Sequence, residues 1–490
     1  MTTELRGTGV AFPDGTVQTS ATGSGGLWAK KWMNCDDQNT AYRHAFVILN
    51  DNSVRGWGHG GWWRLGLGAN DRHSNVAVKP AFPASFPGAA EVHTANEVLQ
   101  AVLDVNGQLW TWGINDYGQC GVGSTAYVKT PVNVSLISAN SIYGKTVTKV
   151  WLPCGVEDVG FMMVLCSDGT VHAVGHNGYG QCGNGNTTNQ SYFVRCGTLT
   201  GVTDISCGRE RYTTCTAVAG GQLYSWGYNG DYQFGNGNAT SVSTPTLRNT
   251  GSLAGKTITK ARAGYLVCMA LASDGTLHGA GNQNSGSFGI GNTNNQTAWV
   301  QINTLVSDFY IVNYDYAVSI IKKTDNKLYC AGSNNYVLAA VYQQTGTDGY
   351  GNPIYGYVTP AMTSWTQVVF PSEVNYTTVY PVKYLKCGTG SYNSFICLMN
   401  NGSVYAWGYN GNGALGIGDD GVGQVNLNAS AQKVLVPPCS DIAAWGHGAE
   451  TSTGFITQDR ALYGCGYGGT WSNGWIQEVT QFAPIPIQLQ

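Results

Sequence analysis

The sequence predicts an all-β repeat protein, and three observations predict it. A short strand ending in glycine recurs eight times along the 490 residues. A turn residue stands six positions before each of these glycines, and in most copies glycine returns eight and ten positions after. No stretch of ordinary helical length carries an apolar stripe of 3.6-residue period. Repetition in a constant register marks stacked units that share one continuous architecture, so a length-based expectation of about three domains gives way to one.

The repeat is clearest from Gly221 to Gly237. Gln222 to Trp226 reads as a strand, with Leu223 and Ser225 on one face and Tyr224 and Trp226 on the other, because successive strand residues alternate. Gly227 ends it. The equivalent glycines are Gly58, Gly113, Gly175, Gly281, Gly332, Gly408 and Gly466. The turn residues are Asn52, Gly107, Gly169, Gly221, Gly275, Asn326, Gly402 and Arg460. Most close an Asn-Gly, Asp-Gly or Gly-Gly pair, which suits the positive φ of a two-residue type I′ hairpin.

Each unit supplies four segments in turn. A first strand leads to a small-residue turn, as in Ile205-Ser206-Cys207-Gly208 and Leu385-Lys386-Cys387-Gly388. An apolar strand follows, such as Met162 to Cys166 or Met269 to Ala272. The turn and the glycine-ended strand come next. An outer segment, such as Ser243 to Leu247 or Lys129 to Val132, leads to the following unit.

Residues 1 to 26 hold no copy. Pro13-Asp14-Gly15 is a turn between Val10-Ala11-Phe12 and Thr16-Val17-Gln18-Thr19, which predicts a small hairpin or extended arm. The run from Thr22 to Gly26 reads as a flexible linker. The expected division is an arm and linker at 1–26 and the repeats at 27–490.

Net charge is −3 with 11% charged residues, which gives no electrostatic case for nucleic acid or an anionic membrane. The first residues show no apolar run of the kind a secretory signal peptide carries. No apolar stretch nears the roughly 20 residues that span a bilayer. Of the 14 cysteines, Cys154, Cys207 and Cys387 share one repeat position, and Cys120 and Cys182 share another. Equivalent positions in different units lie too far apart to bridge, so these read as small buried apolar groups in a protein assembled in a reducing cytoplasm. No C-x-x-C pair suggests structural zinc, and no cofactor is expected.

Enzyme chemistry has little in its favour. Glutamates are few, most aspartates sit in turns, and Asp36-Asp37 and Asp419-Asp420 are neighbours in glycine-rich loops, where solvated turns are the common reading. The glycines from Gly227 to Gly237 are not followed by a helix, so they fail as a dinucleotide fingerprint.

Departures from the repeat point to binding. In unit six Ala340 and Tyr342 replace the two following glycines, and the distance to the next marker glycine grows to 76 residues against an average of about 58. The additional segment, Gln343 to Thr359, carries Tyr350, Tyr355 and Tyr357 among glycines, a composition suited to adaptable recognition loops. Unit one adds Trp62 and Trp63, and unit eight Trp471 and Trp475; packing between units is the competing role for each. Tyr350, Tyr355, Tyr357, Trp62 and Trp63 are the candidate receptor-binding residues.

The copies Gln222-Leu223-Tyr224-Ser225-Trp226-Gly227 and Ser403-Val404-Tyr405-Ala406-Trp407-Gly408, with the upstream Cys-Gly, resemble the regulator-of-chromosome-condensation repeat over residues 27 to 490. The resemblance implies a β-propeller of four-stranded antiparallel blades. The family usually has seven blades; the eight copies here predict eight, with seven the alternative because the first and last units are irregular. Its best-known member's exchange and nucleosome-binding roles rest on a particular loop and a basic tail, and the arm of this chain has Arg6 as its one basic residue, beside Glu4 and Asp14. The string FPDGTVQTSA, Phe12 to Ala21, resembles a segment near the start of tailed-phage fibre proteins. That resemblance implies virion attachment through Phe12, Pro13, Asp14 and Gly15.

The function expected from these readings is that of a bacteriophage structural protein, a tail fibre or adhesin whose propeller binds a host-surface glycan or protein. It would be assembled in the host cytoplasm and carried on the virion beside other tail or fibre proteins, with homo-oligomerisation left open. The alternative is an intracellular bacterial propeller that binds another protein as inhibitor or scaffold. A polysaccharide depolymerase ranks last.

Overall fold

The computed structural model describes residues 9–11, 17–19, 27–33, 44–68, 74–95, 99–153, 160–208, 212–312, 318–333, 341–347, 353–358, 362–371, 374, 382–388, 394–410, 413–418, 427–447, 450–466 and 481–486. Eight four-stranded antiparallel sheets follow one another along the chain and close into a ring, an eight-bladed β-propeller. The blades span 29–78, 89–133, 147–195, 202–248, 258–303, 306–367, 382–433 and 439–486. Blade 4 shows the plan, with strands Val202–Cys207, Thr214–Ala219, Gln222–Gly227 and Val242–Arg248 hydrogen-bonded in sequence order. In blades 3 and 4 the second strand is buried along its whole length and the fourth is mostly half-buried or exposed, so the blade runs from a crowded centre to a solvated rim. Ahead of the ring, Gly9–Ala11 pairs with Val17–Thr19 as a separate two-stranded element, the hairpin expected there.

All eight turn residues take positive φ, from 63° at Asn52 to 88° at Gly402, and Arg460 does so at 75°. The two-residue type I′ turn, however, forms only in blade 4, where Gly220 and Gly221 both have positive φ between the paired Ala219 and Gln222. The other blades close with a three-residue loop, as where the N–H of Gly169 and the N–H of Cys166 bond the carbonyls of Cys166 and Thr170. The reason is local: one residue per turn tolerates positive φ, and the Asp or Asn before it accepts a backbone N–H instead, as Asp168 does from Thr170.

The packing between blades explains the glycine found eight places after most markers. Trp57, Trp112, Trp226 and Trp407 are fully buried. The Trp226 indole N–H donates to the Gln181 carbonyl at 2.9 Å and that of Trp112 to the Arg64 carbonyl at 2.8 Å, each in the preceding blade. A Cβ at Gly183 would meet the Trp226 indole at 2.8 Å, and one at Gly66 the Trp112 indole at 3.0 Å. In blade 5, where Ala280 precedes the marker glycine, Trp299 of the fourth strand fills the same space over Gly235 and bonds the Phe234 carbonyl. The aromatic of one blade thus requires a missing side chain in the last.

Among the described residues no strand is shared between the first and last blades. The ring closes through side chains: Ala29 and Trp32 of blade 1 lie in one apolar cluster with Ala443, Ile456 and Leu462 of blade 8. The Trp32 N–H donates to Asp441 Oδ2 at 2.9 Å, and the Arg460 guanidinium lies 4.1 Å over the Trp28 ring. Eleven cysteines, Cys120, Cys182 and Cys207 among them, are buried free thiols, and burial pushes Cys166 and Cys268 up to about 12; Cys154 lies outside the described residues, as does the side chain of Cys387. This matches their reading as apolar filling.

Candidate functional site

Antiparallel strand order puts the first-to-second and third-to-fourth connections of every blade at one end. The turns and the blade-to-blade connections lie at the other. The first end is the loop face. In blades 2 to 5 the third-to-fourth connection is held from within by one buried residue. Asn177 accepts the Cys182 N–H at 2.8 Å and donates to the carbonyls of Asn186 and Thr188. Asn115 and Asn229 repeat this in blades 2 and 4, and Gln283 stands in for them in blade 5. At the tips, Gln119, Gln181 and Gln233 accept the backbone N–H two residues earlier, at 2.9–3.0 Å. These loops are long in residues but fixed in shape.

Aromatic rings top them. Tyr179 of blade 3 lies 5.1 Å from Tyr228 of blade 4, which lies 4.9 Å from Tyr212 in the same blade. Tyr212 lies 6.5 Å from Tyr265 of blade 5. All four are half-buried. Tyr117 and His176 form a further edge contact at 5.1 Å across blades 2 and 3. Burial, with the nearby Asp231 carboxylate, pushes the Tyr228 hydroxyl up to about 12, so the cluster stays neutral. Of the loop residues 114–127, 176–189, 228–241 and 282–295, only Asp116 and Asp231 carry a charge beside His176.

The first strands build a second feature around the centre. In each blade their pairing skips one residue, and the residue after the skip is Lys31, Glu91, Lys149, Asp204, Lys260, Asp308, Tyr384 or Asp441. Charge alternates around this belt except at Tyr384. Lys31 pairs with Glu91 at 2.9 Å, Asp204 with Lys149 at 2.5 Å and Arg262 at 2.6 Å, Lys260 with Asp308, and the Tyr384 hydroxyl donates to Asp441. A hydrogen bond from His93, then Lys31, holds Glu91 at about 2 despite partial burial. Burial pushes the Asp204 carboxyl up, but Arg262 and Lys149 outweigh it and hold it low. Between blades 2 and 3, a cavity of about 270 Å³ opens beside Glu91, His93, Lys149 and Trp151.

The candidate residues from the sequence fall on the loop face where they are described. Trp62 and Trp63 are half-buried in the third-to-fourth connection of blade 1, at the left-handed φ of 56° and 59°. Trp63 meets the Tyr127 ring at 5.5 Å under the Lys129 ammonium, and Arg64 lies over Trp62 at 4.5 Å. The segment of unit six is a two-stranded ribbon rather than a loop, Val341–Thr347 paired with Pro353–Val358, inserted between the third and fourth strands of blade 6. Alternation there favours strand pairing, and its register sets Tyr342 opposite Tyr357 and Gln344 opposite Tyr355. Tyr350, Phe12, Pro13, Asp14, Gly15, Trp471 and Trp475 lie outside the described residues. The tyrosine cluster, the latching asparagines and the belt escaped the sequence reading. An Asn two places after Gly113, Gly175, Gly227 and Gly408 was the available signal for the latches.

A ring of eight four-stranded blades with aromatic rings on its loop face defines the class: an eight-bladed β-propeller. The regulator of chromosome condensation (RCC1) repeat model matches residues 106–151, 168–212 and 220–271. These segments fall in blades 2 to 5, the most regular part of the ring. The human E3 ubiquitin-protein ligase HERC2 is 26% identical over 259 residues, 52% of this chain and 5% of that protein. The chain thus spans about a twentieth of that relative's length, through its repeats alone, and the match carries no ligase domain. Human WBSCR16 superposes with a TM-score of 0.52 at 20% identity, covering 76% of this chain and 88% of that one. Prp20p from Saccharomyces cerevisiae does so at 0.53 and 17% identity, covering 87% and 92%. At these identities the structural likeness shows the fold.

Proposed function

We propose that this chain is a non-catalytic propeller that docks another protein through its loop face. The observation that carries the reading is the tyrosine cluster Tyr179, Tyr212, Tyr228 and Tyr265, anchored by the latched loops that bear Tyr179 and Tyr228. Rigid aromatic rings give contact area at low entropic cost, and fixed loops reduce what binding must order. Prp20p, described with its binding to Gsp1p and histones, lends support by analogy of fold. The test places a photo-crosslinking residue at Tyr232, beside the cluster, or at Tyr143, exposed on the opposite face. Irradiation in the native cell should join one defined protein to position 232 and not to 143. Equal crosslinking from both positions, or none from 232, overturns the reading.

A second reading is favoured by one observation, the FPDGTVQTSA string, which follows the strand Gly9–Ala11 and contains its antiparallel partner Val17–Thr19. In it the chain is a virion protein that attaches through residues 1–26 and binds the host surface through the ribbon of blade 6. Deleting residues 1–21 should then leave a folded propeller that no longer joins particles. A Tyr350/Tyr355/Tyr357→Ala variant should melt like the parent yet bind host cells less. Normal incorporation of the truncated chain sinks the attachment role.

A further inference from the structure

We propose that the cavity between blades 2 and 3 binds a small organic carboxylate, whose oxygen takes the place that a protein oxygen fills at equivalent positions of the ring. The cavity lies at the centre, apart from the loop face, and the proposal stands independently of protein docking.

The first strands are the inner edges of the blades. In antiparallel pairing, residues that exchange hydrogen bonds with the partner strand alternate with residues whose N–H and C=O point away from it. In blade 5 the Gly264 N–H bonds the Val267 carbonyl, which makes Ala261 and Ala263 residues of the second kind. Their N–H groups are capped from blade 4, by Asp204 Oδ2 at 3.4 Å and Ser206 Oγ at 3.2 Å. Asp441 of blade 8 caps the Trp32 N–H of blade 1 at 2.9 Å, and the Tyr384 hydroxyl of blade 7 that of Ile442 in blade 8 at 3.2 Å. A buried amide is costly to leave without an acceptor, so each inner edge has a use for such an oxygen.

Val150 holds the place of Ala261. The pairing skips a residue before Lys149 as it does before Lys260, and the Thr148 and Thr259 hydroxyls donate alike to the Leu165 and Leu271 carbonyls. The belt residue of the preceding blade is again a carboxylate, Glu91. Blade 2, however, has His93 where blade 4 has Ser206. The His93 Nε2 engages Glu91 Oε2 at 3.0 Å, and Lys31 holds Oε1 at 2.9 Å. Glu91 is spent on these two, and among the described residues no oxygen caps the Val150 N–H. The cavity of about 270 Å³ opens at this place, with Glu91, His93, Lys149, Val150, Trp151 and Leu152 in its wall.

Charge and shape select the ligand. Lys31, Lys149 and Arg262 meet Glu91 and Asp204 here, three cations to two anions, so one added carboxylate completes the balance and an added cation does not. Val150 and Leu152 belong to the buried apolar cluster and give the wall an apolar part beside Trp151. A cavity of about 150 Å³ holds a benzene ring. The larger volume here has room for a ring and its carboxylate.

The probe is benzoate, titrated into the purified full chain labelled with ¹⁵N-valine, with benzamide as the neutral isostere and benzylammonium as the cation. Benzoate should bind with Kd of about 1 mM, as expected of so small a ligand, and shift the Val150 amide resonance, which Val150→Ile identifies. Benzamide and benzylammonium should bind at least tenfold more weakly. Val150→Pro removes an N–H that lies outside the ladder, which an edge strand tolerates, and should weaken benzoate tenfold or more. Should that variant fail to fold, the Val150 resonance of the parent decides. N-acetyl-Gly-Phe carries a carboxylate at a peptide end: tighter binding than benzoate assigns the site to chain ends, weaker binding to free acids. Equal binding of benzoate and benzamide, binding that leaves the Val150 resonance unmoved, or no binding, as for a cavity that holds water alone, each overturns the proposal.

Discussion

At the scale of single residues, the aromatic layer between blades carries the clearest energetic consequence. Trp226 is fully buried, with its indole N–H on the Gln181 carbonyl and its ring over Gly183. Trp226→Ala removes the ring and strands the carbonyl, and should cost about 3–5 kcal/mol. Urea unfolding of the two proteins measures it, and a loss under about 1 kcal/mol would contradict the packing. Position 226 was identifiable in advance, because a strand's two-residue period and its terminal glycine assign Trp226 a face. That its partner would be Gly183, forty-three positions back, was not, since nothing in one repeat specifies the pitch between blades.

At the scale of elements, two devices set how the loop face behaves. Asn177 latches one loop by bonding across it, so Asn177→Ala takes the partner from the Cys182 N–H and the Asn186 carbonyl and leaves the Thr188 carbonyl with Gln190 alone. The expected cost is about 2–3 kcal/mol, with faster amide exchange confined to residues 184–189; a uniform change in exchange would contradict a local latch. On the opposite face, His172 is wedged between Ser141 and Thr170, and His278 between Ser252 and Thr276. Burial lowers both imidazoles to about 4, below the ordinary 6.5. Each folded-state value is depressed, so the unfolded chain binds more protons between pH 6.5 and 4. Stability is therefore full above pH 6.5 and declines as pH falls to 4, by up to roughly 3 kcal/mol per histidine. Melting curves across this window should slope less in a His172→Gln/His278→Gln double variant. An unchanged slope would assign the acid sensitivity elsewhere.

At the scale of the whole molecule, the central belt ties blades that share no strand. Asp204 links blades 3, 4 and 5 through Lys149 and Arg262, and Asp441 links blades 7, 8 and 1 through Tyr384 and the Trp32 backbone. Asp204→Ala leaves two cations facing each other. It should cost about 2–3 kcal/mol, somewhat under the figure for a fully buried pair because the lysine is partly solvated. Raising salt should narrow the gap between variant and parent; a gap independent of salt would mean the belt acts through packing.

The local grammar of this protein was legible in its sequence. Strand faces, positive-φ turn positions and buried tryptophans depend on residues within about ten positions of one another, and the eight copies repeat them. The loop of unit six was legible as an insertion, yet its ribbon form depended on pairing across Asp348 to Asn352. What tertiary structure alone decided was everything shared between blades. The tyrosine cluster draws rings from residues 179, 212, 228 and 265, and ring closure joins Trp32 to Asp441 over 409 positions. Such contacts depend on how far each blade is rotated from the last. That angle comes from the summed packing of the whole ring, and no single repeat encodes it.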